Sequence, residues 1–157
     1  HRKITKFHSQ KSPKRIILDR NLEINLKSYI AKSIKNKNTI IFHNSNDKSK
    51  IKLLKRRGAI LIKQSTDKYK NLDLKKILKD LYKMEIRNLL VEGGDILTKN
   101  FIQKKLFNEF YVFRSSKNLS KNKKHVNFTS FSILNTKYNK HKINSKLATD
   151  KLTIYKN

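Results

Sequence analysis

The chain has 157 residues, 36% of them apolar, and a formal net charge of +28. That length supports one domain with a lean core, no stretch approaches the roughly 20 consecutive apolar residues of a membrane-spanning helix, and the lack of cysteine excludes a disulfide frame and a thiolate zinc site. The charge invites a nucleic-acid partner through counterion release, yet 32 Lys against 7 Arg, with 18 Ile and 17 Asn, is what A/T-rich codons produce without any partner.

Residues 15–19 (RIILD), after Pro13, form a short β-branched and apolar run, which 38–43 (NTIIFH) and 59–63 (AILIK) repeat. Such runs read as strands buried on both faces. Between the second and third, NDKSKIKLLKRRG opens on Asn46 or Asp47, both good N-caps, and closes on Gly58, which suits the position after a helix. In 72–86 (LDLKKILKDLYKMEI), Leu74, Ile77, Leu78 and Leu81 fall at helical spacing and Asp73 is placed to cap. A fourth buried strand is predicted over 87–92 (RNLLVE), a helix over 95–106 with Leu97 and Phe101 on one side, and a fifth strand over 109–114 (EFYVFR). The β-α-β-α-β order calls for a mainly parallel sheet with helices on both faces. After Arg114 comes a polar, lysine-rich stretch with scattered aromatics such as Phe128 and Phe131, whose densest run, 117–125, reads as a solvated loop. Near the end, two short alternating strands around Ala148-Thr149-Asp150, with Leu152 and Ile154 on one face, predict an antiparallel hairpin added to the edge of the sheet. Nothing divides the chain, so 1–157 is expected to be a single domain.

Two of the three glycines, Gly93 and Gly94, stand side by side between the fourth strand and the helix that follows. In a parallel α/β sheet, ligands bind beyond the carboxyl ends of the strands, where helix N-terminal amides point outward. Missing side chains there would let a pyrophosphate lie against the backbone, with the helix dipole favouring its charge. A tight turn that only packs strand against helix explains the pair equally well on spacing alone. Neither G-x-G-x-x-G nor the P-loop pattern is present.

PKRIILDRNLEI (13–24), VEGGDILTKNFI (91–102) and LFNEFYVF (106–113) together resemble the reductase domain of the bifunctional riboflavin-biosynthesis deaminase-reductase. The resemblance covers nearly the whole chain. It implies a dihydrofolate-reductase-like three-layer αβα fold and NADPH-dependent reduction of 5-amino-6-(5-phosphoribosylamino)uracil, whose ribosyl group becomes ribityl. It further implies a phosphorylated pyrimidine as substrate, an N-terminal deaminase domain in the full-length protein, a homodimer and a cytoplasmic location. By position, Glu92 matches the substrate-contacting glutamate and Arg2 an arginine that binds the substrate phosphate. Gly93, Gly94, Asp95, Ile96, Leu97, Thr98, Lys99 and Asn100 match the turn and helix start that hold the cofactor. Asp19 matches the acidic residue ending the first strand of this chain. Arg20 stands where the family usually has a small hydroxyl residue, and either reads the 2′-phosphate of NADPH or points to solvent. The family's first strand and its catalytic aspartate precede the equivalent of His1, so the catalytic residue is expected upstream and this chain alone is expected to be a partial site.

The five histidines form no metal or triad pattern, and only His43, ending the second strand, is expected to face the ligand edge, as a spectator. No metal, nucleic-acid or membrane partner is expected. Two alternatives compete with the main reading: a basic nucleic-acid-binding module, and a reductase of the same fold acting on another pyrimidine or a pterin. The lysines run from Lys3 to Lys156 on every segment, whereas a nucleic-acid groove gathers them on one face with interleaved aromatics.

Overall fold

A computed structural model describes residues 13–115, 130–143 and 150–157. The chain divides into two compact units, residues 1–87 and 88–157.

In the first unit, β1 (Arg15–Leu18), β2 (Thr39–His43) and β3 (Ile60–Lys63) form a parallel sheet in the order β1-β2-β3. Ile17 pairs with Ile41, and Ile41 with Leu61. All five residues of β2 are buried, as a central parallel strand covered on both faces requires. A short helix, α1 (Tyr29–Lys32), which the sequence did not announce, lies between β1 and β2, and its N-cap Ser28 accepts from the Ala31 amide at 3.3 Å. Between β2 and β3, α2 (Lys48–Arg56) starts on Asp47, whose carboxylate accepts the Lys50 amide at 2.9 Å. After it, Gly58 has φ +95°, and a Cβ there would lie 3.0 Å from the Asn36 amide nitrogen, so only glycine closes this turn. Leu22, Ile34, Ile41, Leu54 and Ala59 make the core, with Ile17 and Leu61 against it. In α3 (Leu74–Lys83) the predicted stripe holds: Leu74, Ile77 and Leu81 are buried, and Asp73 caps the Lys75 and Lys76 amides at 3.1 and 3.3 Å.

The predicted strand over 87–92 does not form. None of the described strands pairs with it, and Leu89, Leu90 and Val91 are exposed. An apolar run is a strand only where a neighbour meets its N–H and C=O groups.

In the second unit, α4 (Asp95–Gln103) buries Phe101 and Ile102, and Leu97 is half-buried. The fifth predicted strand is present as β4 (Glu109–Arg114). Its alternating burial marks a strand covered on one face, and it joins an antiparallel sheet instead of extending the parallel one. A further helix, α5 (Phe131–Lys137), precedes the predicted hairpin strands β5 (Asn139–Ile143) and β6 (Lys151–Lys156). The order is β4-β6-β5, so the last strand is the middle one, and the hairpin expected at the edge of the parallel sheet pairs with β4 in a sheet of its own. Ile102, Leu134 and Tyr155 form the core, joined by Phe107, Phe110, Val112 and Tyr138. The Tyr138 hydroxyl donates to the Ile102 carbonyl at 2.8 Å and that of Tyr155 to Asn135 Oδ1 at 2.7 Å, so each ring is buried with its polar end paired. The 117–125 loop, Phe128 and the Ala148-Thr149 turn lie outside the described residues. No helix among the described residues is long and apolar enough to cross a membrane.

Candidate functional site

The three parallel strands end on one edge, and the residues just past each end are polar: Asp19 and Arg20 after β1, His43 and Asn44 at β2, Lys63 and Gln64 at β3. Backbone bonds tie this edge together, with the Asn44 amide donating to the Arg20 carbonyl at 2.8 Å and the Gln64 amide to the His43 carbonyl at 2.7 Å. The two carboxylate oxygens of Asp19 accept the Glu23 and Ile24 amides, each at 2.8 Å. Asp19 therefore builds the turn in which buried Leu22 adopts φ +58°. Arg20 is exposed but tethered, donating from Nε to Asn21 Oδ1 at 3.1 Å and from Nη1 to the Lys70 carbonyl. Lys63 reaches Asn46 Oδ1 at 2.6 Å and Lys76 reaches Ser65 Oγ at 2.9 Å, which adds two cations to the edge. Asn44, Lys63 and Gln64 are not among the candidates the sequence offers, although their place just after or at the end of a predicted parallel strand is the signal for them.

His43 is 3% exposed, and its Nδ1 has no hydrogen-bond partner. Burial pushes its pKa below the usual 6.5, the nearby Ser45 backbone pulls the other way, and the Lys63 and Lys55 cations lower it further against a small opposing pull from Asp19. Below about pH 6.5 the unfolded chain takes up a proton that the folded chain refuses. The neutral-ring contribution is thus complete above pH 6.5 and declines as pH falls toward the lowered pKa of His43. Urea unfolding midpoints from pH 8 to pH 5 should fall more steeply for the wild type than for His43→Asn, and parallel curves would show that His43 does not drive the difference.

In the second unit, Gly94 is the N-cap of α4, with φ −74° and ψ 175°. Any residue adopts that backbone, so conformation does not explain the glycine. Space does: a Cβ on Gly94 would meet nothing within 4 Å, while one on Gly93 would lie 2.7 Å from Leu97 Cδ2. The two glycines do different things. Gly93 lets Leu97 pack over the turn, and Gly94 leaves open room at the first amides of a nine-residue helix, where the dipole favours an anion. These residues fit a pyrophosphate group. Asp95 sits in the first helical turn, where a carboxylate is favourable to the dipole but unfavourable to a bound phosphate. Leu97 and Thr98 are half-buried, Ile96 and Lys99 exposed, and Asn100 spends its side chain on the Ile96 carbonyl at 2.9 Å. Glu92 is exposed, two residues before Gly94. Asp19 and Arg20 belong to the first unit, and residues 92–100 to the second. Arg2 lies outside the described residues. No group of metal-ligating side chains occurs among the described residues.

Residues 1–146 match the family described as the RibD C-terminal domain. A riboflavin biosynthesis protein RibD from Aquifex aeolicus is 33% identical over 109 residues, which are 69% of this chain and 29% of that protein. RibD from Acinetobacter baumannii superposes with a TM-score of 0.66 at 19% identity, over 92% of this chain and 37% of that one. A pyrimidine reductase-like protein from Corynebacterium diphtheriae gives a TM-score of 0.63 at 14% identity, over 92% of this chain and 60% of that one. The fold, dihydrofolate-reductase-like α/β with a parallel sheet and a C-terminal antiparallel hairpin, is the one expected. The chain spans less than a third of the length of the Aquifex protein.

Proposed function

The chain belongs to the RibD C-terminal domain family, and on that premise we propose that it is the reductase domain of a riboflavin-pathway enzyme, reducing 5-amino-6-(5-phosphoribosylamino)uracil with NADPH. Residues 1–157 act as one reductase domain, paired with an N-terminal deaminase domain in the full-length protein, and the protein is a homodimer. The observation that carries the reading is the open room at Gly94, at the amide end of α4 and two residues after Glu92.

When bound, NADPH would supply the hydride for C1′ of the ring-opened ribosyl group and leave as NADP+, with the accompanying proton coming from an acid or water, which gives the ribityl product. The residues of this chain bind and orient. The amides of Asp95, Ile96 and Leu97 receive the pyrophosphate at the helix N-terminus. Glu92 accepts hydrogen bonds from the pyrimidine and so fixes its face, which is how positioning lowers the barrier. Arg2 pairs with the substrate phosphate as a charge-assisted donor. Arg20, already turned toward the Lys70 carbonyl, lends positive charge to the strand-end edge without pointing freely into solvent.

The test is loss of reduced-nicotinamide absorbance in the full-length product of the gene that carries these residues, with the ribosylaminouracil present and then omitted. The expected result is oxidation of NADPH that depends on the substrate, and a Glu92→Gln variant lowers kcat/KM by ~100-fold or more. Oxidation with a pterin and none with the uracil would move the chain to a different reductase. A salt-sensitive shift with oligonucleotides and no response to NADPH would favour a nucleic-acid partner.

A further inference from the structure

Cations collect on one face of the antiparallel sheet. Register puts Arg114 of β4 directly across from Lys151 of β6, and Lys142 of β5 across from Thr153, the next residue of β6 on that face. Lys140, two residues before Lys142, stands across from Tyr155. Four of the five cations on these strands therefore share this face, and the fifth, Lys156, lies on the other with Glu109, whose carboxylate is 3.4 Å away. Among the described residues none of the four is ion-paired. Like charges directly opposite one another in neighbouring strands destabilise a sheet. Codon bias accounts for the number of lysines but not for this sorting, with the carboxylate of the strands on one face and the unpaired cations on the other.

The four cations border a cavity of about 490 Å³. Four cations against one carboxylate, Asp150, leave its lining three positive charges in excess. Val112, Leu152 and Tyr155 add apolar surface to the lining, and Asn135 of α5 adds a carboxamide. The Tyr155 hydroxyl occupies Asn135 Oδ1 at 2.7 Å, so the carboxamide turns its N–H donors elsewhere. Arg114 lies over the Phe131 ring, 5.4 Å from its centroid, which steadies the guanidinium at the rim.

We propose that this cavity binds a small phosphate monoester, at a site that shares no residue with the turn at Gly94. A phosphate monoester carries nearly two negative charges at neutral pH, which answers the excess far better than a single carboxylate. Arg114 supplies a planar fork for two of its oxygens, and Lys142 and Lys151 supply point charges. The volume lies within the ~300–1,000 Å³ of small-molecule sites and exceeds what a free phosphate fills, so the apolar lining receives the body of the ester. A nucleic-acid strand needs aromatic rings open for stacking, whereas Phe110 and Tyr155 on this face pack with Ile102 and Leu134.

The test is isothermal titration with phenyl phosphate of the full-length product of the gene that carries these residues. NADPH in excess fills the turn at Gly94, and salt at about 150 mM screens scattered surface charge. The expected result is a binding event with a dissociation constant at or below about 1 mM. Lys142→Gln and Lys151→Gln should each weaken it ~10-fold or more, and Arg114→Lys should do the same by removing the fork while keeping the charge. Lys75→Gln, at an exposed lysine of α3, should change nothing. The KM for the ribosylaminouracil should stay unmoved in all four, so the reductase reading stands or falls separately. Without ligand, Lys151→Gln should unfold at a urea midpoint no lower than the wild type, because it removes one of two opposed cations. Affinity untouched by the three cavity variants, inorganic phosphate bound as tightly as phenyl phosphate, or an oligonucleotide bound more tightly than either and lost with the same substitutions would each overturn the proposal.

Discussion

Gly94→Val is expected to fold with an unchanged unfolding midpoint and to weaken NADPH binding by ~100-fold or more. The backbone at Gly94, φ −74° and ψ 175°, lies in the extended region that β-branched residues prefer. The new side chain meets nothing within 4 Å at its Cβ, so neither strain nor clash opposes folding. What valine removes is the room through which an anion reaches the first amides of α4. Losing two charge-assisted hydrogen bonds of about 1.5 kcal/mol each amounts to about 3 kcal/mol, or two orders of magnitude in affinity. Gly93→Ala is the contrasting variant: its Cβ would press on Leu97 Cδ2 from 2.7 Å, so its first effect is on packing and stability. Isothermal titration with NADPH and thermal unfolding, run on both variants, separate the two roles. Unchanged affinity in a folded Gly94→Val protein would remove the pyrophosphate from this turn.

Leu54→Ala is expected to cost about 2–5 kcal/mol, a large share of the ~5–15 kcal/mol that holds a domain together. Leu54 is fully buried on α2, within the cluster of Leu22, Ile34, Ile41 and Ala59. Truncation leaves a cavity that the parallel sheet cannot collapse to fill, because β2 is covered on both faces. The variant also tests whether residues 1–157 behave as one domain. Hydrogen exchange should show the β2 and β6 amides losing the same protection, as in a single cooperative transition. If only the β1–β3 amides became labile, the two units would fold separately and the single-domain reading would be wrong.

The first unit was legible because its signals are local. RIILD, NTIIFH and AILIK are too short for helices and apolar on both faces, and Asp47, Gly58 and Asp73 punctuate the helices by hydrogen bonds and a positive φ that sequence alone can anticipate. RNLLVE misled because it carries the same pattern, and pattern does not say whether a strand neighbour is present. EFYVFR was placed as a strand, but its pairing was decided by β6, some 40 residues on, and long-range register leaves little trace in a short window. At the site, the glycine pair was found and its two members were not told apart, since the difference lies in where Leu97 packs. Asp19 was picked by the resemblance, as the acidic residue ending the first strand, while its oxygens are occupied by backbone amides.

The middle position of β6 also sets an order of assembly. The parallel sheet can be completed as the chain lengthens, because each strand from β1 to β3 pairs with the one before it. The antiparallel sheet cannot: β4 and β5 are both finished while the strand between them is still to come, and Glu109 waits for Lys156. Closing that long loop comes before any pairing gain, which makes this sheet the slower of the two to form. In the interval β4 presents Phe110, Tyr111, Val112 and Phe113 on an unpaired strand, a segment prone to join other chains.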